Sequence, residues 1–266
     1  MVVPVHDLNP VRRVPWVTWF LLALNVIVFL GTPASIAAGI AGHDVADLCR
    51  QEAFYQRYGA VPQELVTNRP LPVTATGDVG IGPGGLGCLI GPRQYHKVPF
   101  LSVLSAMFVH GGLLHLAGNM LFLVIFGNNV EDRLGRIRFL LFYLVCGYAS
   151  AYGFALAYPT HTQPLVGASG AVSGVLGAYV VLFPRAKVWS LVPVLFFLPI
   201  RLPAWLVLGM WFLIQWVYSA GYAVSEAGSV AYLAHVVGFV LGMSLALLAR
   251  GRGPEPYPLS RPRPGW

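Results

Sequence analysis

From Phe139 to Pro184 the chain contains no Asp, Glu, Lys or Arg. Such a stretch is either buried on all sides in a large core or crosses a bilayer, where a helix needs about 20 apolar residues. Composition decides between them. Of the 266 residues 56% are hydrophobic and only 10% charged, and mean hydropathy is +0.67, where a soluble domain carries roughly 25% charged residues. There is too little polar surface to solvate this chain in water. It reads as an all-α, polytopic membrane protein.

Six stretches are apolar enough to span: Trp16 to about Ile40, Leu113 to about Phe126, Phe139 to Tyr158, Val166 to Phe183, Ala204 to Tyr222 and Ser229 to Ala249. The second is short, but apolar character reaches back through "FLSVLSAMFVH". Val188 to Ile200 is also apolar, yet it is bounded by Arg185, Lys187 and Arg201 and contains Pro193 and Pro199. It is too short to span and reads as interfacial or looped.

Basic residues orient the bundle. Arg12 and Arg13 precede the first span, and Arg133, Arg136 and Arg138 lie between the second and third. Arg185, Lys187 and Arg201 lie between the fourth and fifth, and Arg250, Arg252, Arg261 and Arg263 follow the sixth. All fall on one side, and the loops after spans three and five hold no Lys or Arg. The positive-inside rule therefore puts both termini in the cytoplasm. The expected organisation is a cytoplasmic N-terminus at 1–15 and a membrane domain at 16–250. Within it 41–100 is a long extracytoplasmic first loop, and 251–266 is a Pro-rich, disordered cytoplasmic tail. Arg-Arg, an apolar run and "PASIAAG" also fit a cleavable signal peptide; a retained helix is the reading preferred for its length. The net charge of +7 follows from this topology. No aromatic-interleaved basic patch points to nucleic acid.

Cys49 and Cys88 both lie in the first loop. If that loop is extracytoplasmic they could pair; Cys146, in an apolar run, reads as a packing residue.

With this topology the even-numbered spans enter from the outer side. Their first halves carry "HGGLLHLAGNM", "GASGAVSG" and "AHVVGFVLG". His110, His115, Asn119, Ser169, Ser173 and His235 thus share the outer half of the membrane, and polar groups at such depth mark a functional site by default. Two readings of the serines stand side by side. They can be small residues in a small-xxx-small helix contact with Gly170, Gly174 and Gly177. Alternatively one of them is a nucleophile activated by an imidazole, with helix N-terminal amides near the developing oxyanion. No Asp or Glu falls within any of the six stretches, so a Ser–His dyad is the arrangement the residues permit. His115 and Asn119 are four apart, on one helical face. His110, near the interface, has the least need of a function. No H-E-x-x-H is present, and the spacing of His110 and His115 does not suit a shared metal; neither metal nor cofactor is expected.

These motifs resemble the rhomboid intramembrane serine proteases. "GASG" is similar to that family's nucleophile motif and "AHVVGFVLG" to its histidine motif. "HGGLLHLAGNM" resembles its second-span motif, and "GNNVEDRLG" its acidic-basic turn. The resemblance runs from about Val98 to Ala249 and implies a six-helix bundle of rhomboid type. It implies Ser169 as nucleophile, His235 as base, His115 and Asn119 as oxyanion stabilisers, and structural roles for Glu131 and Arg133. The implied activity is endoproteolysis of transmembrane protein substrates within the lipid bilayer, near its outer face. The expected location is a bacterial inner membrane. An inactive relative that binds transmembrane clients is the alternative, and a small transporter a more distant one. Two departures stand out. Ser173 occupies a position where some members carry an aromatic residue able to stack on the histidine, and the first loop lacks the Trp-Arg pair of others.

Overall fold

The computed structural model describes residues 3–33, 44–82, 85–192, 196–220 and 231–249. In chain order its elements begin with β1 (Val3–Asp7), α1 (Trp16–Leu30), α2 (Val45–Tyr58) and α3 (Pro62–Thr67). A hairpin, β2 (Val73–Gly82) and β3 (Gly85–Pro92), leads to α4 (Pro99–Ala106). Next come α5 (Leu113–Leu134) and α6 (Arg136–Ala157), then α7 (Ser169–Leu182). Strands β4 (Lys187–Val192) and β5 (Leu198–Pro203) precede α8 (Ala204–Ser219) and α9 (Tyr232–Ala249). Helices α5, α6 and α9 are long and apolar enough to cross a membrane, while α1, α7 and α8 are shorter apolar helices.

The expectation of an all-α chain needs correcting. The segment read as interfacial or looped is an antiparallel hairpin, β4–β5, and β1 pairs with the outer side of β4 to give the order β1-β4-β5. An apolar segment bounded by charges and unable to span must still satisfy its backbone polar groups. Pairing does this without a helix. The Gly-rich part of the first loop is likewise a hairpin, and a Cys49–Cys88 disulfide ties it to α2.

The second span also differs from expectation. α5 continues through the "GNNVEDRLG" turn as far as Leu134, with a π-helical turn at Leu123–Gly127, and so carries Glu131 and Asp132 in its last turns. Glu131 explains why. Its carboxylate accepts hydrogen bonds from the amides of Val17 (3.0 Å) and Thr18 (2.7 Å) and from the Thr18 hydroxyl (2.8 Å). α1 starts after Pro15 with no side-chain cap of its own; Glu131 supplies the anion that a helix N-terminus attracts. The expected extension of span one towards Ile40, much of the "PASIAAG" segment and the 251–266 tail lie outside the described residues.

The core is built around α7. At about 1.5 Å per residue its 14 residues cover only about 21 Å, less than the roughly 30 Å of hydrocarbon. All of them except Ser169, Gly170 and Val180 are buried. Neighbouring helices, rather than lipid, surround it. Tyr179 is fully buried, edge-on to Phe126 with ring centroids 4.9 Å apart. Its hydroxyl donates to Asp7 (2.7 Å), which also accepts from Asn129 Nδ2 (2.6 Å) and the Asn9 amide (2.9 Å). Burial of this carboxyl outweighs those hydrogen bonds and raises its pKa to about 6.

The packing of α7 on α9 is close enough for backbone to touch backbone. A Cβ at Gly177 would collide with the Phe239 carbonyl, at Gly238 with that of Gly170, and at Gly242 with that of Gly174. Small residues therefore set the separation, as in membrane helix pairs generally. On the first-loop side, Lys97 and Glu64 form an ion pair (2.7 Å) with both side chains buried. Burial pushes the Lys97 pKa down, and Glu64 opposes that shift.

Candidate active site

Ser169 opens α7, three residues later than the sequence pattern suggests. The delay has a backbone cause: Gly167 has φ +116°, a conformation available to glycine at little cost. Its amide donates to the Ala106 carbonyl (2.9 Å). Leu165 exchanges two backbone hydrogen bonds with Ala60 of the first loop (3.0 and 2.8 Å). Non-helical backbone at membrane depth is tolerable only when protein satisfies it; Ala60 of the first loop and Ala106 at the end of α4 are those partners.

His235 sits in the first turn of α9, buried, with Nε2 2.8 Å from Ser169 Oγ. Its other nitrogen, Nδ1, is 2.7 Å from Oε1 of Gln215 on α8, which is also buried. Trp211, one turn before Gln215, tilts over the imidazole at 5.9 Å, and Tyr232 approaches edge-on at 6.4 Å. Three helices thus converge on one hydrogen-bonded row: Ser169, His235, Gln215.

His115 and Asn119, on α5, wall the other side of Gly167. A methyl group added there would lie 2.7 Å from His115 Cε1 and 3.7 Å from Asn119 Nδ2. Asn119 is buried, and its Nδ2 has no hydrogen-bond partner among the described residues. Leaving a buried amide donor unpaired costs about 1–3 kcal/mol, a cost that any hydrogen-bond acceptor bound there would relieve. His110 is fully buried behind His115, edge-on at 5.2 Å, with Nδ1 3.3 Å from the Phe108 carbonyl. It backs this wall and is not part of the row. Ser173 is also apart: its hydroxyl donates to the Ser169 carbonyl (2.6 Å), one turn deeper in α7. A cavity of about 50 Å³ adjoins Ser169, lined by Val103, Met107, Ser150, Gly167 and Ala234 among others. That is room for water and no more than a fragment of a peptide.

The sequence alone does not single out Gln215. Its one signal is a lone amide within the apolar run "MWFLIQWVYS". Nothing in its spacing connects it to His235, because the two sit on different helices.

The sequence matches the Rhomboid domain over residues 98–252. It is 34% identical over 148 residues to Rhomboid protein 1, mitochondrial, of Saccharomyces cerevisiae, covering 54% of this chain and 40% of that protein. It is 40% identical over 76 residues to RHOMBOID-like protein 6, mitochondrial, of Arabidopsis thaliana (29% of this chain, 24% of that one). Rhomboid protease GluP of Bacillus subtilis is 41% identical over 85 residues (31% and 16%). The chain spans less than half the length of each of these relatives.

Proposed function

The chain belongs to the rhomboid family of membrane proteins, and from that premise we propose that it is an intramembrane serine endopeptidase acting on transmembrane protein substrates. The observation that carries the proposal is the 2.8 Å approach of Ser169 Oγ to His235 Nε2. In this reading Ser169 Oγ attacks the scissile carbonyl carbon and its proton passes to Nε2. The oxyanion is received by Asn119 Nδ2, His115 and the helix-start amides near Ser169. Collapse of the tetrahedral intermediate breaks the C–N bond, and the proton on Nε2 goes to the leaving amine. Water, deprotonated by the same nitrogen, then hydrolyses the acyl-enzyme.

The six apolar helices are read as six spans, with both termini cytoplasmic and the first loop outside. The Cys49–Cys88 disulfide supports that orientation, since such bonds persist in oxidising compartments. A bacterial inner membrane remains the proposed location. In a regular transmembrane helix every carbonyl is already hydrogen-bonded, so a substrate must unwind locally before Ser169 can reach it. Gly or Pro near the cut should speed cleavage; equal rates with a stiffened substrate helix would refute this point.

The test is cleavage of a model transmembrane substrate, together with labelling by a fluorophosphonate, for wild type, Ser169→Ala and Ser173→Ala. Loss of both signals in Ser169→Ala alone is the expected result. Loss in Ser173→Ala instead would move the nucleophile one turn deeper. The second reading, an inactive relative that binds transmembrane clients, is favoured by the small cavity beside Ser169. Wild type that neither cleaves nor labels, but retains a client, would establish it.

A further inference from the structure

Gln215 raises a question that the dyad leaves open. An imidazole accepts a proton from serine only if Nε2 carries its lone pair, which requires the hydrogen on Nδ1. In solution the two tautomers interchange, and something must select one. In a Ser–His–Asp triad a carboxylate at Nδ1 makes the selection. Within the bilayer a carboxylate would be a buried charge, costly unless fully paired.

Here the acceptor at Nδ1 is the Gln215 carboxamide oxygen, at 2.7 Å, with both side chains buried. It is neutral, so it selects the tautomer without adding charge. Trp211 and Gln215 are four apart, on one face of α8. The indole tilts over the ring at 5.9 Å while the amide takes its Nδ1 edge. No such support comes from α7, because the Ser173 hydroxyl is engaged by the Ser169 carbonyl.

Building on the protease reading, we propose that Gln215 is the positioning residue for His235: a neutral third member that fixes the imidazole tautomer and orientation for proton transfer from Ser169. Its carboxamide oxygen keeps the Nδ1 hydrogen in place as Nε2 takes the serine proton and as it returns that proton to the leaving amine. Interhelical glue between α8 and α9 is the competing role, since buried amides often bridge membrane helices.

The experiment compares purified full-length wild type, Gln215→Met, Gln215→Glu and Ser169→Ala. It records cleavage of a transmembrane substrate across pH, fluorophosphonate labelling and thermal unfolding. Met is close to Gln in length, and its thioether is a far weaker acceptor for the Nδ1 hydrogen than a carboxamide oxygen. Gln215→Met should lose at least about tenfold in kcat with KM within about twofold, a milder loss than the ~10⁴-fold of a wrong tautomer in a triad. Glu restores an acceptor and, when ionised, favours imidazolium. Gln215→Glu should therefore recover part of kcat at high pH and move the acid limb of its pH profile upward. Folded Gln215→Met with kcat within twofold of wild type overturns the proposal. So does a drop in Gln215→Met with no displaced acid limb in Gln215→Glu, which assigns Gln215 to packing. If Gln215→Met does not fold, the acid limb of Gln215→Glu decides alone. Wild type that neither cleaves nor labels sinks the protease reading itself, and this inference with it.

Discussion

His235 is held from two sides by different means. Towards α7, α9 meets its neighbour through glycines, and backbone rests on backbone at Gly170, Gly174, Gly238 and Gly242. Towards α8 it meets side chains: Gln215 and Trp211 at the imidazole, and Phe212 stacked on Phe239 at 4.6 Å. A glycine seam has no rotamers through which to yield. An aromatic contact can slide or re-pack at modest cost, and the far face of α8 carries exposed Trp205, Leu213 and Trp216. The Ser169 side of the row is therefore fixed, whereas the Gln215 side is adjustable. If the protease reading proposed above holds, the small cavity beside Ser169 makes the adjustable side the one expected to give way.

The comparison can be broken at several points. Gly242→Leu should have the largest effect. It drives a side chain into the Gly174 backbone, beyond ordinary overpacking at about 1–3 kcal/mol, and should abolish the folded, monodisperse protein on size-exclusion chromatography. Lys97→Met acts on the loop whose Ala60 holds the approach to α7. It strands Glu64 as a buried, unpaired charge, a loss of about 3–5 kcal/mol, visible as early loop opening in hydrogen exchange.

Asp7 tests the far end of α7. Its carboxyl has a pKa of about 6 against an ordinary 3.8, so the folded state holds this proton more tightly than the unfolded one. The associated stabilisation is complete below about pH 4 and is lost as pH rises through about 6, a total of ~3 kcal/mol. The unfolding midpoint in detergent should rise as pH falls from 7 to 5, and Asp7→Asn should flatten that slope. Phe212→Ala should be mildest, about 1 kcal/mol for the lost ring pair, with kcat changed only a few-fold. A loss in Phe212→Ala as severe as in Gly242→Leu would erase the distinction between the two sides.

Much of this architecture is legible in the sequence because bilayer thickness imposes a length and the cost of buried polarity imposes a depth. The apolar stretches stand out from the sequence, and the charge pattern places Ser169 and His235 at one depth. Other features depend on pairings that no local pattern encodes. β1 pairs with a strand from the other half of the chain, which nothing in "VPVHD" itself signals. Gln215 is one polar residue in an apolar run, and its meaning depends on the rotation of α8. The delayed start of α7 depends on Gly167, whose positive φ is not written in the letter G alone.

Glu131 also has a consequence for the order of assembly. The amides of Val17 and Thr18 are synthesised more than a hundred residues before the carboxylate that receives them. At about 5–20 residues per second, the first helix waits on the order of ten seconds for its partner. During that interval its N-terminal amides must be satisfied by water or lipid headgroups. α1 is thus secured only when the α5–α6 corner arrives, and the last turn of α5 acts as the latch that holds α1 against the bundle's centre.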